Sequence, residues 1–344
     1  MRKPMRLAVA AGAAVVGLAF AGPAVAAYNP TLIALSTNNA PGRPTTMILG
    51  HTQEASEDPT VKDTIYAPPG YGVTLTQPAG TKIGDITAHL ILRGAGNAEV
   101  DADGQVVTDT QANYTAAATQ CTGTPTHEAV WRADITVQGT GTQIQVPIYV
   151  DHVVGAEATF ATAKLQLCLA GPFGTPNGAQ LLFAIFNVNG VFTNPTSTTD
   201  RIWRATFTPY APGTPTPNPA GTTEGQALVP GRVSLSLSVK RLKHRVVILQ
   251  GRLLIDGQPF RGATVELFVP GKSKPVAKPK TSRTGRYSVR KRIKKPTRYH
   301  AEVFFIGALA SCPATAIPGV PQGCKTATVS FLAVTKNVLA RPRR

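Results

Sequence analysis

Long helical patterns are missing from this 344-residue chain, which excludes helical-bundle and α/β architectures. Zinc-site signatures are missing as well. The four cysteines form no C-x-x-C pair and the six histidines are scattered without ligand-like spacing. His127-Glu128 has no second histidine at the spacing of a zinc protease. There is no G-x-S-x-G nucleophile elbow, and carboxylate pairs such as Glu57/Asp58 fall in a polar loop where no pKa shift is expected. No cofactor or metal site is therefore expected. Tryptophan is scarce: of only two, Trp131 and Trp203, the first sits at an expected core position, so an aromatic sugar-binding face has little to draw on. Past the N-terminus no apolar run reaches the ~20 residues of a transmembrane helix. The most apolar stretch, 181–192, is interrupted by Asn187, Asn189 and Gly190 and suits a buried strand.

The first 26 residues read as an export signal. Arg2, Lys3 and Arg6 precede an apolar run from Leu7 to Phe20; Gly22-Pro23 breaks it, and Ala24-Val25-Ala26 is a small-x-small cleavage pattern. The mature start is expected at Ala27. No Arg-Arg pair, lipidation cysteine or sorting tail accompanies it. An exported chain meets an oxidising compartment, so its cysteines are expected as disulfides. Four cysteines allow three pairings; the one that stays within each half is Cys121–Cys168 and Cys312–Cys324.

Thr, Val, Gly and Pro are abundant, which points to an all-β fold rich in turns. Residues 211–230, APGTPTPNPAGTTEGQALVP, read as an extended linker. Charge changes sign across it. Residues 27–229 carry 8 Lys/Arg and 15 Asp/Glu, whereas residues 230–344 carry 24 and only 3. The whole-chain net charge of +17 thus conceals an acidic half and a very basic one. The expected organisation is a signal at 1–26, a β-rich domain at 27–210, the linker at 211–230, a second sandwich at 231–336 and a basic tail at 337–344.

In the first domain, period-2 alternation sets Trp131, Ala133, Ile135 and Val137 on one face, and likewise Ile144, Val146, Ile148 and Val150. Pro147 cannot donate to a ladder and marks an edge or a bulge. Leu165, Leu167 and Leu169 alternate with polar residues. Further strands are expected at 31–35, 47–51, 72–76, 83–92 and 203–208. About ten short strands imply a sandwich or jelly-roll-like barrel. Asp101-Ala102-Asp103-Gly104 opens like a calcium loop, but Ala112 stands where a bidentate Glu is needed, so a hairpin turn is expected there. His89 and His152 are expected to be satisfied structural residues.

In the second domain, Val233, Leu235, Leu237 and Val239 alternate with serines, 246–255 follows, and Asp256-Gly257 signals a tight turn. Strands at 263–269, near 275–281, from Tyr287, at 299–305 and at 326–333 bring the count to the seven of an Ig-like sandwich. The run Gly251-x-Leu253, Gly257-Gln258-Pro259-x-x-Gly262-Ala263-x-Val265-x-Leu267, Thr284-Gly285-x-Tyr287 and Tyr299-x-Ala301 resembles the carboxypeptidase regulatory-like domain and is similar to bacterial Ig-like repeats. The resemblance covers about 60 residues of this half. It implies a prealbumin-like sandwich used as a non-catalytic spacer, stabiliser or adhesion element. The basicity and the cysteine-containing insertion depart from that pattern.

Residues 278–298 hold ten Lys/Arg and no acid. Tyr287, Val289 and Ile293 are expected to point inward, with Arg286, Arg290, Arg292 and Lys294 on the opposite face and Lys291 at a bulge or rim. Lys295 and Arg298 extend the run; Lys240, Arg241, Lys243 and Arg245 form a second cluster, and the tail a third. Such a surface seeks polyanions. Outside the cell these are acidic envelope polymers and anionic lipid. Specific nucleic-acid recognition is not expected, because stacking aromatics are lacking. Docking onto the acidic half is another use for the charge. The function expected from these features is a non-enzymatic secreted or envelope interaction protein. Alternatives are a secreted carbohydrate-active enzyme with an accessory sandwich, marked by paired carboxylates in a cleft, or a carbohydrate-binding module.

Overall fold

A computed structural model describes residues 28–169, 179–197, 201–311, 315–320 and 324–343. The expected leader, Cys312 and the last tail residue Arg344 lie outside the described residues. The fold is all-β. The first half contributes β1 (Thr31–Ser36), β2 (Pro44–Thr52), β3 (Thr60–Ala67), β4 (Gly72–Val73), β5 (Lys82–Leu92), β6 (Ala98–Asp109), β7 (Ala129–Val137), β8 (Gln143–His152), β9 (Ala163–Cys168), β10 (Gln180–Thr193) and β11 (Arg201–Pro209), with one helix, α1 (Thr115–Thr122), between β6 and β7. There follow β12 (Thr223–Val229), β13 (Val233–Leu235), β14 (Ser238–Arg241), β15 (Val246–Ile255), β16 (Gln258–Pro259), β17 (Glu266–Phe268), β18 (Arg286–Arg292), β19 (Thr297–Ser311), β20 (Lys325–Val334) and β21 (Val338–Ala340).

One antiparallel path runs β1-β2-β10-β5-β6-β7-β8-β9-β3-β11-β12. Its two ends approach each other: β1 packs against β12 and β20, and Ser330 Oγ donates to Ala34 O at 2.7 Å. The sheet thereby wraps around one interior, filled by Trp131, Trp203, Phe192, Phe207, Met47 and Leu49. The expected inward faces of β7 and β9 are buried as the alternation requires. β10 is central, hydrogen-bonded to β2 and β5. Pro147 lies in an interior strand, yet the β8–β9 ladder begins only at Ile148, so its missing N–H costs no pairing on that side.

Three segments differ from expectation. Asp101–Gly104 is neither a hairpin turn nor a loop; it runs through the middle of β6. Gly104 is there for space, since a Cβ would fall 1.9 Å from Asp134 O on the neighbouring strand. β3 is a strand that alternation hides, because Asp63 and Thr64 occupy buried positions and are both under 5% exposed. Residues 211–230, expected as an extended linker, include β12, buried from Glu224 to Val229 and paired antiparallel to β11 and parallel to β20. Its hidden anchor is an ion pair: Arg204 Nε donates to Glu224 Oε1 at 2.6 Å, Gln226 Nε2 donates to the same oxygen, and an Arg204 Nη1 donates to Thr315 O. Both partners are at most 4% exposed. Glu224→Ala strands the Arg204 charge and should cost about 3–5 kcal/mol in urea unfolding, whereas replacing both by apolar residues should cost far less.

The acids of the first half are largely committed locally. Arg132 binds Asp134 at 2.6 Å and also Asp109; Lys164 binds Glu157 at 2.8 Å; His127 meets Asp151 and His152 meets Glu128. Hydrogen bonds from His89 to Asp101 and Glu99 raise the His89 pKa. Glu57 and Asp58 were expected to titrate normally; burial raises both, in Glu57 despite an N–H donated by Asn29. Cys121, at the end of α1, is bonded to Cys168 on β9 with Cα atoms 5.8 Å apart. Cys324 is also disulfide-bonded. No helix among the described residues is long and apolar enough to cross a membrane.

In the second half, β14, β15 and β18 form one layer and β17, β19, β20 and β21 the other. Val247, Leu249, Leu267, Tyr287, Tyr299 and Ala301 fill the space between. Asp256 and Gly257 both take positive φ, 48° and 81°, as the tight turn requires. The expected strand near 275–281 is reduced to two isolated bridges, Thr264↔Lys280 and Leu267↔Ala277.

Candidate polyanion-binding face

β15 is the spine of the basic face. Its ladder with β18 pairs Val246↔Arg292, Ile248↔Arg290, Gln250↔Ser288 and Arg252↔Arg286, while its ladder with β14 pairs Ile248↔Lys240 and Gln250↔Ser238. Directly paired residues share a face. The outer side therefore presents Arg292, then Lys240 and Arg290 flanking Ile248, then the polar row Ser238–Gln250–Ser288, then Arg252 beside Arg286. The inner side carries Leu249 and Tyr287 into the core. Burial raises the pKa of both the Tyr287 and Tyr299 hydroxyls, so neither offers an anionic counter-charge. Lys291 pairs with Val247 on the inner side and is half-buried; the ladder continues past it without a shift, so it sits at the rim and there is no bulge.

The turn and tail cations meet at one end of this layer, whereas Arg298 lies on β19 of the other layer, paired with Leu339. The turn between β14 and β15 holds Lys243, His244 and Arg245, the last two with φ of 60° and 59°. Such left-handed backbone is uncommon outside glycine, and here it is occupied by a histidine and an arginine. Arg245 N donates to Arg343 O in the tail, and Ile293 N donates to Arg245 O. The turn cluster, the end of β18 and the tail, three separate clusters along the sequence, thus meet in space.

All ten residues singled out from the sequence are exposed: Lys240, Arg241, Lys243, Arg245, Arg286, Arg290, Arg292, Lys294, Lys295 and Arg298. Among the described residues none of the ten joins an ion pair. The few acids of this half are used elsewhere: Glu266 binds Lys278 and Glu302 binds His300. Sequence reading missed Arg252, because it is an isolated charge rather than part of a run. Register reveals it. Arg252 and Arg286 stand directly opposite each other, a like-charge pair that destabilises a sheet. Arg252 Nε donates to Thr284 O at 3.0 Å, which fixes its guanidinium, and Ser238, Gln250 and Ser288 add polar groups alongside. Guanidinium groups so placed can grip phosphate or carboxylate oxygens in pairs.

No protein-family model matches the chain, and no curated protein matches it. Among solved structures it is similar to the FN1–FN3 domains of chicken CNTN1, at 12% identity and a TM-score of 0.20, over 88% of this chain and 99% of that one. A TM-score that low carries no weight for fold or function.

Proposed function

We propose that the protein is a non-enzymatic, exported interaction protein, held at the cell envelope by its basic β14-β15-β18 layer on acidic envelope polymers or anionic lipid. One observation carries this reading: a sheet face and its adjoining turn and tail expose ten or more cations with no internal counter-charge. The charge has no evident partner inside the molecule, since most first-half acids already bind neighbouring Arg, Lys or His side chains. That disfavours docking of the basic half onto the acidic half. A sugar-binding role draws no support from the tryptophans, both of which are fully buried. Export is supported by the leader pattern and by a disulfide, which persists in oxidising compartments. In this reading 27–210 and 231–336 act as an acidic and a basic module, distinguished by charge rather than by a free linker.

The test is sedimentation of the full mature chain with neutral vesicles, with vesicles containing anionic lipid, and with insoluble acidic polymer. Binding to either anionic material but not to neutral vesicles is expected, and the two anionic arms tell lipid from polymer. Equal binding to neutral and anionic vesicles, or none to any of the three, overturns the reading.

A further inference from the structure

A second site lies in the first half, unrelated to the basic face. A cavity of about 110 Å³ opens inside the wrapped sheet, lined from β2, β3, β5, β7, β8, β9 and β10. Its wall is almost wholly apolar: Ile65, Leu90, Ile135, Val146, Leu167 and Phe186 are typical. Among the described residues only two polar side chains reach it, His51 and Asp63. They come from β2 and β3, which are not hydrogen-bonded neighbours, so their contact crosses the interior. Nδ1 of His51 is 2.7 Å from Asp63 Oδ2, and both residues are at most 3% exposed. The Phe207 ring packs edge-on against the imidazole at 5.2 Å.

Each member of this pair keeps one buried polar atom with no hydrogen-bond partner among the described residues: Nε2 of His51 and Oδ1 of Asp63. Two orphaned polar atoms in one apolar interior are costly and call for a partner. In the neutral imidazole whose Nδ1–H donates to the carboxylate, Nε2 is an acceptor, and Oδ1 accepts as well. Among the described residues the lining side chains supply no other donor. The missing complement is therefore a donor carried by an apolar body. A second carboxylate would bring another buried negative charge beside Asp63 and is disfavoured. The volume is comparable to the roughly 150 Å³ apolar cavity that takes up benzene in an engineered core.

We infer that this cavity binds a small, neutral, hydroxyl-bearing hydrophobe about the size of one aromatic ring, its O–H donated to the His51–Asp63 pair.

The experiment titrates the full mature chain with phenol and with toluene, which match in size but differ in the hydroxyl. It follows the histidine ring-nitrogen NMR signals and the melting temperature. Phenol should bind saturably, move the signals of one imidazole, and bind about tenfold more tightly than toluene, the value of one hydrogen bond in a dry site. The double variant His51→Leu/Asp63→Leu, which removes both acceptors and leaves no unpaired buried charge, should erase that preference while leaving toluene binding. Ala88→Leu, which narrows the cavity without touching the pair, should abolish both. If the double variant fails to fold, the wild-type comparison and Ala88→Leu decide alone. Equal affinity for the two probes, absence of saturable binding, or phenol binding unaffected by Ala88→Leu would each overturn the inference. None of these outcomes bears on the basic face.

Discussion

Neutralising five cations of the basic face, as Lys240→Gln, Arg286→Gln, Arg290→Gln, Arg292→Gln and Lys294→Gln together, should reduce affinity for anionic vesicles by about 10³- to 10⁴-fold. Each basic residue near an anionic surface contributes about 1 kcal/mol, and about 1.4 kcal/mol is a tenfold change. The five side chains are exposed and lie on β14, β18 and the segment just after β18, so their contributions add without repacking of Leu249 or Tyr287 beneath them. In the absence of polyanion the variant should be no less stable than the parent, because it removes repulsion between Arg286 and Arg252 and within the Arg290–Lys294 run. Equilibrium sedimentation at low salt reads the first effect and urea unfolding reads the second. Neutralising Arg43 and Lys82 on the acidic half should leave binding unchanged. A variant that binds as tightly as the parent, or unfolds at much lower urea, contradicts the assignment of this face.

The second large effect concerns Cys121–Cys168. The bond closes a loop of 47 residues, for which chain entropy gives about 4 kcal/mol. It also fastens α1, a helix of eight residues too short to persist alone, onto β9. The Cys121 carbonyl accepts from Lys62 Nζ at 3.0 Å, and burial holds the Lys62 pKa below the ordinary lysine value. Replacing both cysteines by serine should therefore lower the urea midpoint by an amount equivalent to about 4 kcal/mol and loosen residues 110–128 first, as read by hydrogen exchange. An unchanged midpoint would mean that the loop is held by its packing alone. A chain that needs this bond is poorly suited to a reducing cytoplasm, which ties the prediction to export.

What the sequence made legible depended on periodicity and on runs. Alternation placed Trp131, Ala133 and Leu165 in the core and Tyr287 and Tyr299 beneath the basic layer, where the structure has them. The ten cations were visible as clusters and are exposed as expected. Burial of polar residues was not legible. Asp63 broke the apolar pattern of β3, and Glu224 that of β12; each has a charged or polar partner on another strand, His51 for one oxygen of Asp63 and Arg204 for Glu224. For the same reason the cavity could not be foreseen, since its two polar groups come from strands that never pair. Arg252 was missed because a lone charge signals nothing until register sets Arg286 opposite it. The meeting of the β14–β15 turn with the tail rests on main-chain bonds, which side-chain sequence does not encode.

The central claim is that uncompensated positive charge on one sandwich layer attaches this protein to polyanions outside the cytoplasm. The most direct measurement is to add the mature chain to washed envelope fragments at low ionic strength and re-extract it with about one molar salt, where the screening length falls to about 3 Å. Quantitative release into the wash is the predicted result. Protein that stays with the envelope through that wash, or that never associated with it at low salt, contradicts the account.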